Sequence, residues 1–245
     1  MAIFTREDKY IQLLTERDYT VRELAGKLFI SEPTVRRDII QLKKKDLVSC
    51  THGTVRLNTN SPDKRIPLFI RDLEHTEEKR VIAQKAIAHI SDGDTIMLDA
   101  STSAYCLIPY LTQFKNLLVI TNGSKTAIAL AALGIKTLCT GGEMTLESFS
   151  YIGPDAENML RKYNANVAFF SCRGINEKGI ASDNTIMENS LRQIMIQNSR
   201  KKYLLCDSSK FGSTYLNTTC SLKDIDGIIS ETALPSYLKT GKNNA

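Results

Sequence analysis

Six short runs of apolar, often β-branched residues recur from residue 95 onward, most of them followed by a polar turn and then a helical pattern. TIMLD (95–99) leads into Ala100-Ser101-Thr102-Ser103 and a helical stretch over 104–111. LLVIT (117–121) leads into Asn122-Gly123-Ser124 and a helix over 125–133, and KTLCT (136–140) into Gly141-Gly142. VAFFS (167–171) precedes Cys172-Arg173-Gly174, an irregular stretch and a helix over 185–198; YLLCD (203–207) precedes Ser208-Ser209-Lys210-Phe211-Gly212; GIIS (227–230) closes the series. Near-continuous apolar runs separated by helices bury both faces of a strand, so the expected class is α/β with a mostly parallel sheet. A helix from Thr76, taken as its cap, to residue 89 or 90 should lead in, with Ile82, Ala83, Ala86 and Ile87 inward.

Each polar turn lies at the carboxyl end of a strand, the edge where open α/β sheets bind ligands. Ser101, Thr102 and Ser103 place hydroxyls before a helix, whose first N–H groups and dipole favour an anion. Asn122, Gly123 and Ser124 repeat that arrangement, Gly141 and Gly142 permit close backbone approach, Arg173 and Lys210 add positive charge, and Asp99 can accept from sugar hydroxyls. Together these eleven residues suit a small phosphorylated polyol. Taken singly, each turn is ordinary loop chemistry; Asp99 alone reads as a loop-ordering carboxylate and Lys210 alone as a solvated ammonium. The case rests on convergence.

Residues 20–57 follow different rules. Thr20 and Glu23 form a capping box ahead of an apolar stripe of Leu24, Ala25 and Leu28. Phe29 and Ile30 are expected to fill a turn, Ser31 caps a second helix, and Pro33 sits in its first turn, where a missing N–H costs nothing. At about 100° per residue, Val35, Ile39 and Leu42 share one face, and Pro33, Arg37, Ile40 and Lys44 the opposite one. Val48 to Leu57 alternates around His52-Gly53, a hairpin tip. This is a helix-turn-helix with a wing, whose second helix can enter a major groove. The expected contacts to double-stranded DNA are Thr20, Ser31, Glu32 and Thr34 around the helix starts, Arg36 and Arg37 for phosphate or guanine, Lys43 and Lys44 (with Lys45 beside them) for phosphate, and His52 and Arg56 on the wing. The plainer alternative is a helical subdomain with a solvated basic face.

Residues 5–16 supply a third helix, capped by Thr5, with Tyr10, Ile11 and Leu14 inward. Residues 58–75 carry Asn, Ser and two prolines and read as a linker whose Leu68, Phe69 and Ile70 dock on one domain. The domains are therefore a DNA-binding domain over 1–57, a linker over 58–75, and an effector and oligomerisation domain over 76–245. Residues 1–60 hold eleven basic and eight acidic side chains, so three of the chain's net five positive charges sit at the front. The six cysteines form no CxxC pair and are expected as buried, reduced thiols. No apolar run approaches the roughly 20 residues of a membrane span, and the cytoplasm is the expected location.

The stretch Glu23-Leu24, Leu28, Ser31-Glu32 and Thr34 to Asp38 (EL–x3–L–x2–SE–x–TVRRD) resembles the winged helix-turn-helix of the DeoR family of bacterial sugar-metabolism regulators. TIMLDASTS, VITNG, TGGEM, FFSCRGI and LLCDSSKFG resemble the same family's effector-domain landmarks, in order, across nearly the whole chain. The resemblance implies a fold similar to ribose-5-phosphate isomerase and a phosphorylated sugar as effector. It also adds Arg71 as a weak ligand candidate. This chain has His52-Gly53-Thr54-Val55 where the family usually has His-Gly-Gly-Ala. It has Ser171-Cys172-Arg173-Gly174 where many relatives have Gly-Ala-Asp-Gly, a guanidinium in place of a carboxylate.

The leading expectation is a transcription regulator, a repressor of a carbohydrate-metabolism operon released from its operator by a phosphorylated sugar. It should be a homodimer or tetramer with no cofactor, no metal and no membrane partner, because one winged domain contacts few bases. An isomerase-like enzyme with an added DNA-binding domain is the runner-up; it needs a carboxylate base, for which Asp183 or Glu188 would have to serve. A DNA-binding protein with a purely oligomerising back half is the third reading.

Overall fold

The computed structural model describes residues 6–45, 47–58, 71–72, 74–145 and 147–239. The chain divides into two compact units, residues 1–74 and 75–245.

In the first unit, helix α1 (Arg6–Glu16) is followed by strand β1 (Tyr19–Thr20), helices α2 (Val21–Leu28) and α3 (Glu32–Lys44), and strands β2 (Val48–Thr51) and β3 (Thr54–Leu57). Thr20 caps α2 by a complete capping box with Glu23, and the Ser31 hydroxyl accepts from the Thr34 N–H to cap α3. Val35, Ile39 and Leu42 of α3 are buried against Tyr10, Ile11 and Leu14 of α1 and Leu24 of α2. Each such side chain contributes about 1.5–3 kcal/mol by burial, enough to fix which face of α3 is left outside. The β2–β3 hairpin turns through His52 and Gly53 at φ 49° and 78°, the doubly left-handed turn that matches strand twist. Strand β1, which sequence periodicity does not reveal, pairs antiparallel with β3 and makes the wing three-stranded.

Phe29 does not fill the turn. It ends α2 in the left-handed region at φ 55° and is 94% exposed, while Ile30 packs on the core instead. The Thr5 cap and the Leu68–Ile70 docking segment lie outside the described residues. Arg71 is half-buried in a helical turn.

In the second unit, helix α4 (Thr76–Ala86) precedes β4 (Thr95–Leu98), α5 (Thr102–Tyr105), α6 (Ile108–Leu111), β5 (Leu118–Thr121), α7 (Ser124–Ala132) and β6 (Lys136–Cys139). Then come β7 (Glu143–Met144), β8 (Tyr151–Ile152), α8 (Pro154–Arg161), β9 (Ala165–Ser171), β10 (Gly174–Ile175) and β11 (Ile180–Asp183). Helix α9 (Ile186–Gln197), β12 (Ser199–Leu205), β13 (Asn217–Ser221) and β14 (Gly227–Ile229) complete it. Six strands form one parallel sheet in the order β14-β12-β9-β4-β5-β6. Its two faces follow the strand period: Ile96, Leu98, Val167, Phe169, Tyr203 and Leu205 face α4, whereas Met97, Ile120 and Ala168 face α8 and α9.

Thr76 is the first residue of α4 rather than its cap; His75 precedes it in the left-handed region, without a side-chain cap. The helix expected over 104–111 is two pieces, because Pro109 has no N–H to return to Tyr105. The irregular stretch that begins at Gly174 supplies β10 and β11 to a small antiparallel sheet, β10-β11-β13, which β13 completes from beyond β12. The six cysteines form no disulfide; Cys172, Cys206 and Cys220 are buried and Cys50 and Cys106 half-buried, but Cys139 is exposed on β6, an edge strand of the sheet. No helix among the described residues is long and apolar enough to cross a membrane.

Candidate nucleic-acid interface and effector crevice

The outer face of α3 is basic and open, with Pro33 and Ile40 its apolar members. Arg36, Arg37, Lys43 and Lys44 are exposed; Arg36 lies 3.6 Å from Glu32, one turn back. Arg37, Lys43 and Lys44 have no ion pair among the described residues. Lys45 is pulled aside by Glu7 at 2.7 Å, and Asp38 faces inward to Arg6 at 2.8 Å and to the Tyr10 hydroxyl at 3.1 Å. Asp38 thereby fastens α1 to α3 and leaves the arginines before it pointing out. Ser31 and Thr34 share a hydroxyl contact of 2.9 Å at the helix start. On the wing, His52 is exposed at the tip and Arg56 reaches Asp18 at 2.5 Å. Thr20 and Glu23 are committed to their cap. The Thr20 N–H, then Arg17, hold the Glu23 carboxyl down at about 2.

The carboxyl ends of the parallel strands bring the second group of residues to one edge of the sheet. Because the strand order is β12-β9-β4-β5-β6, the turns carrying Lys210, Ser171 and Arg173, Asp99 to Ser103, Asn122 to Ser124, and Gly141-Gly142 follow one another along that edge, at about 4.8 Å per strand. Parallel strands all end on the same side, so the convergence is a consequence of topology.

At the centre is a residue that sequence reading missed. Arg192 of α9 is buried; its Nε donates to Asp99 Oδ2 at 2.9 Å, Nη1 to Asp183 Oδ2 at 2.9 Å and Asn189 Oδ1 at 3.1 Å, and Nη2 to Glu188 Oε2 at 3.5 Å. Burial works against its charge, but Asp183, Asp99 and Glu188 outweigh it and hold the guanidinium ionised. Asp99 also accepts from the Ser101 N–H (3.1 Å), the Ser101 hydroxyl (2.5 Å) and the Ser171 N–H (3.2 Å). Glu188 Oε1 accepts from Ser148 (2.5 Å) and Ser150 (2.7 Å). One guanidinium thus ties together the turn after β4, the end of β11 and, through Glu188, the loop between β7 and β8. The Glu188–Arg192 spacing of one helical turn was the available signal.

Lys210 Nζ donates to the Ser171 hydroxyl at 2.9 Å and lies 3.2 Å from Asp207. Burial lowers its basicity, yet Asp207 more than offsets this and keeps the ammonium charged. Arg173 is half-buried, 5.2 Å above the Tyr215 ring. Several of the proposed ligand groups are engaged by the chain itself. Asp99 anchors Arg192, Ser101 caps α5 through the Ala104 N–H, and the Ser124 hydroxyl donates to the Phe149 carbonyl at 2.8 Å. Gly142 is needed by its own neighbours, since a Cβ there would stand 2.7 Å from the Ile152 carbonyl. Gly123 likewise packs on Ala100, while Gly141 has open space beside it. Thr102 and Ser103 are buried in the first turn of α5. The buried Ser103 Oγ and Asn122 Oδ1 have no hydrogen-bond partner among the described residues.

Residues 6–61 match the DeoR-like helix-turn-helix domain and residues 74–232 the DeoR C terminal sensor domain. The chain is 30% identical over 235 residues to the lactose phosphotransferase system repressor of Staphylococcus epidermidis, covering 94% of this chain and 93% of that one. It is 34% identical to the L-fucose operon activator of Haemophilus influenzae, covering 90% and 88%. Among solved structures, the translation initiation factor eIF-2B of Pyrococcus horikoshii OT3 superposes on 92% of this chain and 86% of its own with a TM-score of 0.50 at 15% identity. Ribose 5-phosphate isomerase from Methanocaldococcus jannaschii covers 56% and 55%, with a TM-score of 0.43 at 16% identity.

Proposed function

The chain belongs to the DeoR family of transcription regulators, and we propose that it represses a carbohydrate-metabolism operon and leaves its operator when a phosphorylated sugar enters the crevice. The observation that carries this reading is the row of turns along one sheet edge, with cationic Lys210 and the unpartnered Ser103 Oγ and Asn122 Oδ1 on it. A buried polar atom without a partner costs about 1–3 kcal/mol, a cost that a ligand's hydroxyls would relieve. Lys210, Arg173 and the first turn of α5 would take the phosphate. On α3, Arg36 and Arg37 would meet base edges or phosphates, with Lys43, Lys44, His52 and Arg56 on the backbone. Two or more copies would bind a repeated site in the cytoplasm, since one winged unit reads few bases. Relatives that repress and relatives that activate are both known by name; repression is the sign proposed here.

We read the crevice as sensing rather than catalytic. Asp183 and Glu188, the carboxylates an isomerase would use as base, are both held by Arg192, and Glu188 also accepts from Ser148 and Ser150, so their oxygens are engaged within the chain. Gel shifts of an operator fragment, with and without a panel of sugar phosphates, test the proposal. Release by one member is expected, together with a thermal stabilisation of about 2.7 kcal/mol at 100 times its dissociation constant. DNA binding that no sugar phosphate alters would remove the sensing claim, and turnover of ribose 5-phosphate would replace it.

A further inference from the structure

The outer stripe of α3 contains one side chain, Ile40, for which neither charge nor a place in the first turn, as for Pro33, gives a task. Pro33, Arg36, Arg37 and Ile40 stand at i, i+3, i+4 and i+7, so they lie along one line of the helix. Ile40 is 53% exposed, although its own helix buries Val35, Ile39 and Leu42 to 4% or less. The core stripe is complete without it, and its neighbours on the outer side, Gln41, Lys43 and Lys44, are polar and exposed. A lone exposed aliphatic residue is unremarkable on most surfaces. This one, however, occupies the i+7 place of the stripe that faces a major groove, the same four-position spacing with which homeodomain helices read DNA. The apolar feature of the major groove is the C5-methyl group of thymine. Arginine and lysine cannot recognise it, because it offers nothing to accept a hydrogen bond, whereas a branched aliphatic side chain against it removes water from both.

We propose that Ile40 reads a thymine methyl in each operator half-site, one helical turn beyond the groups met by Arg36 and Arg37. This rests on the reading of α3 as the groove helix. Ile40 would then select sequence where the arginines and lysines mainly supply affinity.

The experiment uses the full chain. Duplexes are selected from a random-sequence pool, and affinity is measured by fluorescence anisotropy on the selected duplex and on versions with single thymines replaced by deoxyuridine. Replacement at one thymine per half-site should weaken wild-type binding about fourfold, the ratio expected for burial of one methyl group. Ile40→Ala should bind the thymine and deoxyuridine duplexes equally, and Ile40→Val, which keeps the branch, should retain the difference. Wild-type affinities that all stay within twofold, or an Ile40→Ala protein as sensitive as wild type, would overturn the proposal while Arg37→Ala still weakens binding. If Arg37→Ala and Ile40→Ala both bind like wild type, or no duplex is enriched, the groove assignment itself falls and takes the proposal with it.

Discussion

On α3, Arg37, Lys43 and Lys44 stand exposed with no ion pair among the described residues; in the second unit, Arg192 is buried against three carboxylates. The contrast follows from solvation. An exposed cation is paired with water at little cost and can exchange that water, and the counterions of DNA, when a duplex arrives. A buried cation must gain its partners as the unit folds, since desolvating it costs several kcal/mol. The first unit can therefore leave these cations exposed, whereas the second builds its strand-end turns around an already satisfied network. A ligand at the proposed site would have to use the atoms the network leaves over or exchange partners within it.

The sharpest way to break this comparison is Arg192→Met. It leaves Asp99, Asp183 and Glu188 without their cation and should destabilise the second unit by about 3–5 kcal/mol, read as an early transition in urea with the first unit's transition unmoved. A single unshifted transition would mean that the network is not what holds the strand-end turns. Next is Lys210→Ala, expected to cost effector affinity about 1.5–3 kcal/mol, the worth of a hydrogen bond to a charged group, while operator affinity without effector is unchanged. Unaltered induction would take Lys210 out of the site.

Arg37→Ala should weaken operator binding by about 1–3 kcal/mol if it reads a guanine, with stability changed by no more than about 0.5 kcal/mol. Unchanged affinity would assign the outer face of α3 to solvent. The smallest effect belongs to the cap. Thr20→Ala should cost about 0.5–2 kcal/mol of stability, and it tests the acid behaviour of the first unit. Glu23 has a folded pKa of about 2 against 4.5 for the free side chain. Its contribution is therefore present above about pH 4.5 and lost as pH falls toward 2. Circular dichroism melts across that window should show the loss in wild type and not in Glu23→Gln.

What was legible was local. The caps at Thr20 and Ser31 and the inward stripe of Val35, Ile39 and Leu42 depend on residues within a turn or two of each other. The six apolar runs carry their own strand signal, and all six became strands of the main sheet. What failed was set elsewhere in the chain. Strands β1 and β10 are two residues long and exist only through partners at β3 and β11. Phe29 reads as a turn hydrophobe, yet it is exposed because the end of α2 needs a left-handed residue at that place. Among the crevice residues, Ser101, Ser124 and Gly142 have the right composition for a ligand loop and are spent on their own chain.

The sequence by itself determined the helix-turn-helix, the α/β class and the list of polar turns, because caps, periodicity and turn residues act over short range. Only the tertiary structure decided which of those polar groups face each other. Asp99 and Arg192 are 93 positions apart, and nothing near either one announces the 2.9 Å contact between them. A buried charge is placed by the partners that compensate it, and those partners are chosen by how the strands are ordered in the sheet.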